Sequence, residues 1–160
     1  MDGHDIAQIC LNGHVIASTA GSSPQFRKNR CDICGEETIM TCKACNTPIK
    51  GYYHVSGFID FNMSYSRPRF CESCGKPFPW IETKIDVANQ LIDLMDSLNE
   101  DEKLDFKESI FELVKETSKV PVAKVKVNRY LTKVDSDLSD GLLDVLKETL
   151  SEKIKKSFMK

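Results

Sequence analysis

The chain has no apolar run near the roughly 18 residues that a membrane-spanning helix needs. Its start, residues 1–5, lacks the basic and then apolar pattern of a secretory signal peptide. Neither sign of charge is in large excess, because 22 Lys and Arg oppose 24 Asp and Glu for a formal charge of −2. These absences argue against a membrane protein and against a strongly basic nucleic-acid coat protein, and we expect a cytoplasmic protein.

Residues that suit turns and metal sites become scarce after about Ile81. All seven cysteines, all three histidines and the single tryptophan precede this point, and one glycine and one proline follow it. The remaining sequence is rich in Leu, Ile, Val, Lys, Asp and Glu, a composition that favours packed helices. We therefore predict two domains, residues 1–80 and residues 81–160.

Helical spacing of apolar residues predicts four helices in the second domain. The first covers residues 85–98, and the second begins where Asn99 precedes Glu102 by three positions, as in a capping box. Residues 122–134 fit a strand as well because of their valines, but the spacing of their apolar residues favours a helix. One last helix is predicted over residues 138–158. A compact helical bundle is the expected result.

The first domain contains four closely spaced pairs of metal-binding side chains. One is the Cys/His pair of CLNGH, and three are CxxC pairs in CDICG, CKACN and CESCG. In a reducing compartment such pairs are typical of metal sites, and an odd number of cysteines leaves disulfide pairing incomplete. Eight donors are enough for two closed tetrahedral sites, so we predict two Zn²⁺ ions as cofactors. The predicted ligands are Cys10, His14, Cys31, Cys34, Cys42, Cys45, Cys71 and Cys74.

Neighbouring residues support metal knuckles. Glycine follows the second cysteine at Gly35 and Gly75, where a knuckle needs a positive φ. Iron–sulfur ligation is the main alternative for the thiols, but the histidine among the ligands favours zinc. Phe78 and Trp80 follow the last knuckle, and we expect them to cover a zinc site or to dock the helices.

Two pairings of the half-sites are open. The sequential pairing, which we favour, gives one ion to each half of the ligand set: Cys10, His14, Cys31 and Cys34, then Cys42, Cys45, Cys71 and Cys74. A nested pairing would place the four inner cysteines on one ion, because they lie close together along the chain. Sequential sites would close loops with hairpin-like sequence, at residues 15–20 and at residues 52–61 with 67–70. The predicted fold class is α+β, a tandem zinc ribbon followed by a helical bundle.

Four stretches of the sequence also carry a family resemblance. They are AQICLNGHVI, the CxxCG of the second pair, TCKACNTPIKGYYH and FCESCGKPFPW, and the similarity continues through the C-terminal helices to SEKIKK. In these segments the chain resembles the uncharacterised bacterial proteins grouped as domain of unknown function 2321. The resemblance implies zinc-binding knuckles and brings no known activity.

Basic and aromatic residues of the first domain form a candidate nucleic-acid surface, since they supply phosphate pairing and base stacking. The charge limits this interpretation. Residues 1–80 hold eight Lys and Arg against seven Asp and Glu, and seven thiolates with two Zn²⁺ add a net −3. The candidate contacts are Arg27, Lys28, Arg30, Lys50, Tyr52, Arg67 and Arg69.

No catalytic constellation stands out in the sequence. His54 has no carboxylate or nucleophile partner within its own segment, and His4 and Asp5 lie in a start that we expect to be frayed. Eight ligands for two ions leave no open coordination position, so we expect neither an enzyme nor a small-molecule substrate. We expect a zinc-binding adaptor that binds an unidentified protein partner or self-associates through its C-terminal helices, with nucleic-acid binding as the alternative.

Overall fold

The structure, a computed structural model, describes residues 2–62 and 64–158. Two compact units divide the chain, one that ends at Glu82 and one that begins at Thr83. The first unit holds short β-strands and a single turn of 3₁₀ helix, Pro24–Phe26, and the second is helical. The α+β class predicted from the sequence is confirmed.

The described strands of the first unit form two small antiparallel sheets. One sheet pairs β1 with β5, and the other places β2 between β3 and β4. The strands are β1 Gly3–Ile6, β2 Gln8–Cys10, β3 Val15–Ala17, β4 Thr38–Ile39 and β5 Lys50–His54. A side chain on Gly51 would overlap the carbonyl oxygen of Ser18, which accepts a 2.8 Å hydrogen bond from the N–H of Tyr52. Glycine therefore lets β5 lie directly against the backbone of residue 18.

One predicted hairpin forms and the other does not. The predicted segment 15–20 supplies β3, which pairs with β2. The hairpin predicted for residues 52–61 and 67–70 is wrong, because β5 ends at His54 and pairs with β1. Among the described residues between β5 and residue 70, no strand follows. The tip of that predicted hairpin included Met63, which lies outside the described residues.

Local turn chemistry explains why the extended run stops after β5. Gly57 has a φ of 77°, a value that side-chain-bearing residues rarely adopt. The N–H of Phe58 donates to the carbonyl of Val55 at 3.2 Å, which turns the chain before it could pair as a hairpin. The expectation of a frayed start is also wrong, since residues 3–6 are ordered as β1 by their pairing with β5.

The core of the first unit contains the residues that follow the last knuckle. Trp80 is almost fully buried, and its indole N–H donates to the carbonyl of Pro68 at 2.9 Å. Its ring stacks on Phe78 with centroids 4.8 Å apart and an interplanar angle of 12°. A side chain on Gly13 would lie 2.8 Å from the Cβ of Trp80. Trp80 therefore packs against the turn between the first two predicted ligands.

The described helices are α1 Pro79–Asp93, α2 Glu100–Lys115, α3 Val120–Leu131, α4 Ser136–Thr149 and α5 Glu152–Phe158. The predicted capping box opens α2: the side chain of Asn99 accepts the N–H of Glu102 at 2.8 Å, and the Glu102 carboxylate accepts the N–H of Asn99 at 3.0 Å. Residues 122–134 fall largely in α3, so helix rather than strand is correct there. No described helix combines the length and the apolarity that crossing a membrane requires.

Packing within the helical unit joins α2 to α3. The carboxylate of Asp105 on α2 accepts the Tyr130 hydroxyl at 2.5 Å and the Lys126 ammonium at 2.8 Å. The rings of Phe106 and Tyr130 lie 5.0 Å apart. Fully buried side chains of this unit include Phe106, Ile110, Leu113, Val114, Leu142 and Leu146.

The single last helix predicted over residues 138–158 is wrong, because the structure divides it into α4 and α5. Leu150 adopts an extended conformation with ψ of 150° at the end of α4. The hydroxyl of Ser151 then accepts the N–H of Ile154 at 3.3 Å, as an N-cap residue does. Both Leu150 and Ile154 are buried. Apolar spacing continues through the break, which is why periodicity alone did not reveal it.

Candidate metal centres

The three CxxC segments fold into the same tight turn. The residue after the second cysteine donates its N–H to the carbonyl of the first: Gly35 to Cys31 at 2.8 Å, Asn46 to Cys42 at 2.8 Å and Gly75 to Cys71 at 2.9 Å. The φ angles of the three donors are 75°, 63° and 75°. Asparagine is among the few side-chain-bearing residues that adopt this left-handed region readily. Sequence reasoning singled out the two glycines and overlooked Asn46, although CKACN was the available signal.

These turns point backbone N–H groups at the sulfur atoms. The N–H groups of Ile33 and Ser73 each lie 3.4 Å from the Sγ of the first cysteine in their knuckle. In the Cys/His half-site, the N–H of His14 lies 3.3 Å from the Sγ of Cys10. Donors aimed at sulfur stabilise a thiolate, the form that binds metal.

Eight side chains come together in two groups of four. The first group is Cys10, His14, Cys31 and Cys34, and the second is Cys42, Cys45, Cys71 and Cys74. Within each group the donor atoms all lie within 4.8 Å of one another. The structure thus brings together the sequential sets, and the inner cysteines of the nested alternative lie in different groups.

Distances within the groups match a tetrahedron around one ion. The Sγ–Sγ distances are 3.8 Å for Cys10 with Cys34, 3.7 Å for Cys42 with Cys74 and 3.6 Å for Cys45 with Cys71. With metal–sulfur bonds of about 2.3 Å, the edge of a regular tetrahedron is about 3.8 Å. A disulfide would place the sulfurs only about 2.0 Å apart. Each group therefore suits one four-coordinate metal ion of its own. The seven cysteines are free thiols.

The histidine of the first group faces its neighbours through one specific nitrogen. His14 Nδ1 lies 3.4 Å from the Sγ of Cys10 and 3.6 Å from the Sγ of Cys31. Bonds of about 2.0 Å to nitrogen and about 2.3 Å to sulfur give an expected edge of about 3.6 Å. The residues present fit a metal ion, with Nδ1 as the donor atom of His14.

The family comparison assigns residues 3–158 to a group described as uncharacterized proteins conserved in bacteria, domain of unknown function 2321. The chain belongs to this family. The resemblance noted from the knuckle sequences is thereby confirmed over nearly the whole chain. No curated protein and no solved structure matches the chain.

Side chains beside the thiols set their protonation in this family member. Hydrogen bonding from the Asn12 amide, 3.4 Å from Sγ, and then from the N–H of Glu36 lowers the pKa of Cys34 to about 6. Thr47, first through its hydroxyl and then through its N–H, lowers the pKa of Cys45 to about 6. Burial raises the pKa of Cys10. In each group, hydrogen bonding to one thiol thus favours its thiolate, the form that binds metal.

The two groups lie at the surface of the first unit in the same way. Their first and third ligands are buried, and their last ligands, Cys34 and Cys74, are exposed. Beside the first group, the guanidinium of Arg67 donates to the carbonyl of Gly13. The last cysteine is thus the most solvent-exposed ligand candidate in each group.

Most of the candidate nucleic-acid contacts of this family 2321 protein interact with other residues of the chain. Arg27 donates to the Ala20 carbonyl at 2.8 Å, and Lys28 pairs with Asp32 at 2.7 Å. Lys50 pairs with Glu72 at 2.7 Å. The Tyr52 hydroxyl donates to Asp60 at 2.9 Å, and the Arg67 guanidinium donates to the carbonyl of Gly13. The Arg69 guanidinium lies 5.6 Å from the centre of the Phe70 ring. Arg30 is exposed.

Asp5 on β1 and His54 on β5, which are distant in the sequence, meet in the β1–β5 sheet. The Nε2 of His54 lies 3.0 Å from the Oδ2 of Asp5, whose side chain is 4% exposed. The carboxylate also accepts the hydroxyl of Ser22 at 2.5 Å and the N–H of Ile6 at 2.7 Å. His54 thus has a carboxylate partner in Asp5, which lies outside its own segment of the sequence.

Proposed function

We propose that this protein is a non-enzymatic adaptor whose first unit is stabilised by two structural zinc ions. The tetrahedral spacing of two four-donor groups carries this proposal. Zinc in such a site acts as a cross-link that holds segments of the chain together. An isolated antiparallel β-bridge flanks each CxxC knuckle, Arg30 with Glu37, Thr41 with Pro48 and Phe70 with Pro77, and this arrangement is the reason to describe the unit as a tandem zinc ribbon.

Zinc is preferred over iron because of the composition of the first group. It combines three thiols with an imidazole, and zinc binds both donor types in closed structural sites. Iron–sulfur proteins use four thiolates in most clusters, so the histidine favours zinc. A reducing compartment such as the cytoplasm would keep all seven thiols available for metal.

The number of donors supports a non-enzymatic role. A catalytic zinc keeps one coordination position for water or substrate, whereas four protein donors surround each ion in the proposed sites. The ions would therefore hold the fold and take no part in a reaction.

A protein partner is preferred over nucleic acid because of charge. With both zinc ions bound, the first domain carries a net charge of about −2. Lys28 and Lys50 already have carboxylate partners at 2.7 Å. Several large apolar side chains are exposed in each unit, among them Ile33 at 71%, Phe61 at 96% and Leu94 at 63%. Exposed apolar surface of this kind suits a protein partner or self-association through the helices.

Metal content tests the zinc part of the proposal. Protein purified without added metal is analysed by elemental mass spectrometry, next to the Cys10→Ser and Cys42→Ser variants. We expect two zinc ions per chain in the original protein and the loss of one in each variant, because each substitution removes one thiolate from a different group.

Two neighbouring substitutions serve as matched controls. Asp32→Ser and Lys43→Ser change exposed positions inside the knuckles without removing a donor, so both variants should retain two zinc ions. Iron in place of zinc, or one ion shared by both groups, would contradict the proposal. X-ray absorption at the zinc edge adds a second criterion, since a bound water in either site would contradict the non-enzymatic role.

A further inference from the structure

A cleft of about 720 Å³ lies in the first unit, away from the metal ligands. One wall is β5, and the other is formed by residues within 55–60 and 64–68. Aromatic rings dominate the lining, which includes Tyr52, Tyr53, His54, Phe58 and Tyr65. We call this site the aromatic cleft.

Hydrogen bonds hold several of these rings in place. The hydroxyl of Tyr52 donates to Asp60 at 2.9 Å, and that of Tyr65 donates to the carbonyl of Lys50. Asp5 fixes the ring of His54, which meets the Tyr52 ring edge to face with centroids 5.2 Å apart. Rings that are already ordered lose little conformational freedom when a ligand binds.

Among the described residues, the Asp60 carboxylate of the aromatic cleft has no cationic partner. In the described part of the chain, Asp60 accepts hydrogen bonds from neutral donors only, the Tyr52 hydroxyl and the N–H of Asn62. The hydrogen bond to this carboxylate raises the pKa of Tyr52, so the phenol keeps its proton. Lys50 also lines the cleft, but Glu72 neutralises its charge at 2.7 Å. The site therefore suits a cation and disfavours a polyanion.

Apolar side chains on the wall of the cleft that follows β5 are exposed to solvent. Phe58 and Ile59 line the cleft and are 67% and 74% exposed, and Phe61, close by in sequence, is 96% exposed. Neighbouring apolar side chains exposed to this degree mark interaction surfaces in soluble proteins. A ligand that combines apolar groups with a positive charge would satisfy both features.

We propose that the aromatic cleft binds a lysine or arginine side chain presented by an apolar segment of a partner protein. Ring faces attract cations, and Asp60 supplies the carboxylate that such a cation would meet. The inference deepens the proposed adaptor role and rests on it for the protein nature of the partner. It assigns no role to the metal ions.

A titration with matched peptides tests the charge requirement. The ¹⁵N-labelled, zinc-loaded protein is titrated with acetyl-Leu-Arg-Leu-amide and with acetyl-Leu-citrulline-Leu-amide, in which a neutral group replaces the guanidinium. We expect the arginine peptide to shift the amide signals of residues 50–60 and the citrulline peptide to bind about fivefold more weakly.

Asp60→Asn removes the charge and keeps an acceptor for Tyr52, so it should abolish most of the difference between the two peptides. Phe58→Ala should weaken binding of both peptides by a similar factor. Glu37→Gln, which neutralises an exposed carboxylate outside the cleft, is the matched control and should change neither affinity.

Equal binding of the two peptides to the original protein would overturn the cationic specificity in favour of a neutral apolar groove. Shifts confined to residues outside the cleft, or no shift at about 10 mM of either peptide, would overturn the site itself. Tighter binding of a hexathymidylate oligonucleotide to the same residues would overturn it in favour of nucleic acid. Zinc content is measured on the same sample, so failure of the metal proposal is distinguished from failure of the cleft.

Discussion

At the scale of single residues, Asp5 shows how one carboxylate joins segments that are distant in sequence. It receives hydrogen bonds from Ser22, from the N–H of Ile6 and from His54. Burial by itself would raise the pKa of Asp5, but these hydrogen bonds outweigh it and lower the pKa to about 2. The ionised carboxylate therefore stabilises the folded state around β1.

We expect Asp5→Asn to lower the free energy of unfolding of the first unit by about 2 kcal/mol at pH 7, because the shift from an ordinary pKa favours the ionised folded state by that amount. The stabilisation is complete above the ordinary pKa near 3.8 and is lost as pH falls through about 2. Urea unfolding of the zinc-loaded proteins, followed by Trp80 fluorescence, measures the difference at about pH 6 to 8, where it should be constant because this range lies above the ordinary pKa.

Asp2→Asn is the matched control for this measurement, because Asp2 precedes β1 and is exposed. It should cost much less than Asp5→Asn at pH 7. An unchanged stability of Asp5→Asn would show that the buried carboxylate contributes no more than a neutral acceptor.

At the scale of secondary-structure elements, capping side chains mark the starts of α2, α4 and α5. Asn99 and Glu102 satisfy each other's backbone N–H groups at the start of α2. Ser151 supplies a similar acceptor between α4 and α5, where the sequence pattern of apolar residues is continuous. Capping side chains can thus divide a helix that periodicity alone would extend.

Asn99→Ala should destabilise the helical unit by about 1 kcal/mol, because it leaves the N–H of Glu102 without its side-chain acceptor. Chemical denaturation followed by circular dichroism at 222 nm measures the change. Ser97→Ala, two positions away on the exposed surface, should leave the midpoint unchanged. Equal midpoints for all three proteins would contradict a stabilising role for the capping box.

At the scale of the whole molecule, the two units depend on different interactions. All eight metal-ligand candidates lie in the unit that ends at Glu82, whereas the helical unit has an apolar core of its own. The first unit has short strands and small sheets, which seldom provide enough buried surface without a metal or a disulfide.

Removal of metal with a strong chelator should therefore unfold the first unit and leave most of the helical signal. Trp80, the single tryptophan, is buried in the first unit and should shift its emission to longer wavelength. The ellipticity at 222 nm should fall only slightly, because the helical core contains no metal ligand among the described residues. Added Zn²⁺ should restore the emission, whereas parallel loss of both signals would show that the helices also need the metal.

The sequence by itself determined the metal-ligand candidates and the α+β class, because both depend on spacing within a short stretch of chain. CxxC pairs form knuckles locally, and apolar periodicity indicates a helix without knowledge of its neighbours. The knuckle turn requires a positive φ, which asparagine as well as glycine can adopt, so a search for glycine alone missed Asn46. The break at Ser151 was missed because the apolar pattern continues through it.

Tertiary structure alone decided which distant segments meet. It placed the four ligand pairs into the sequential groups, paired β5 with β1 and brought Asp5 to His54. It also placed Asp60 among the rings of the aromatic cleft. These outcomes depend on the path of the chain between distant segments and on close packing of backbone against backbone, as at Gly51. The spacing of residues along the sequence specifies neither of them.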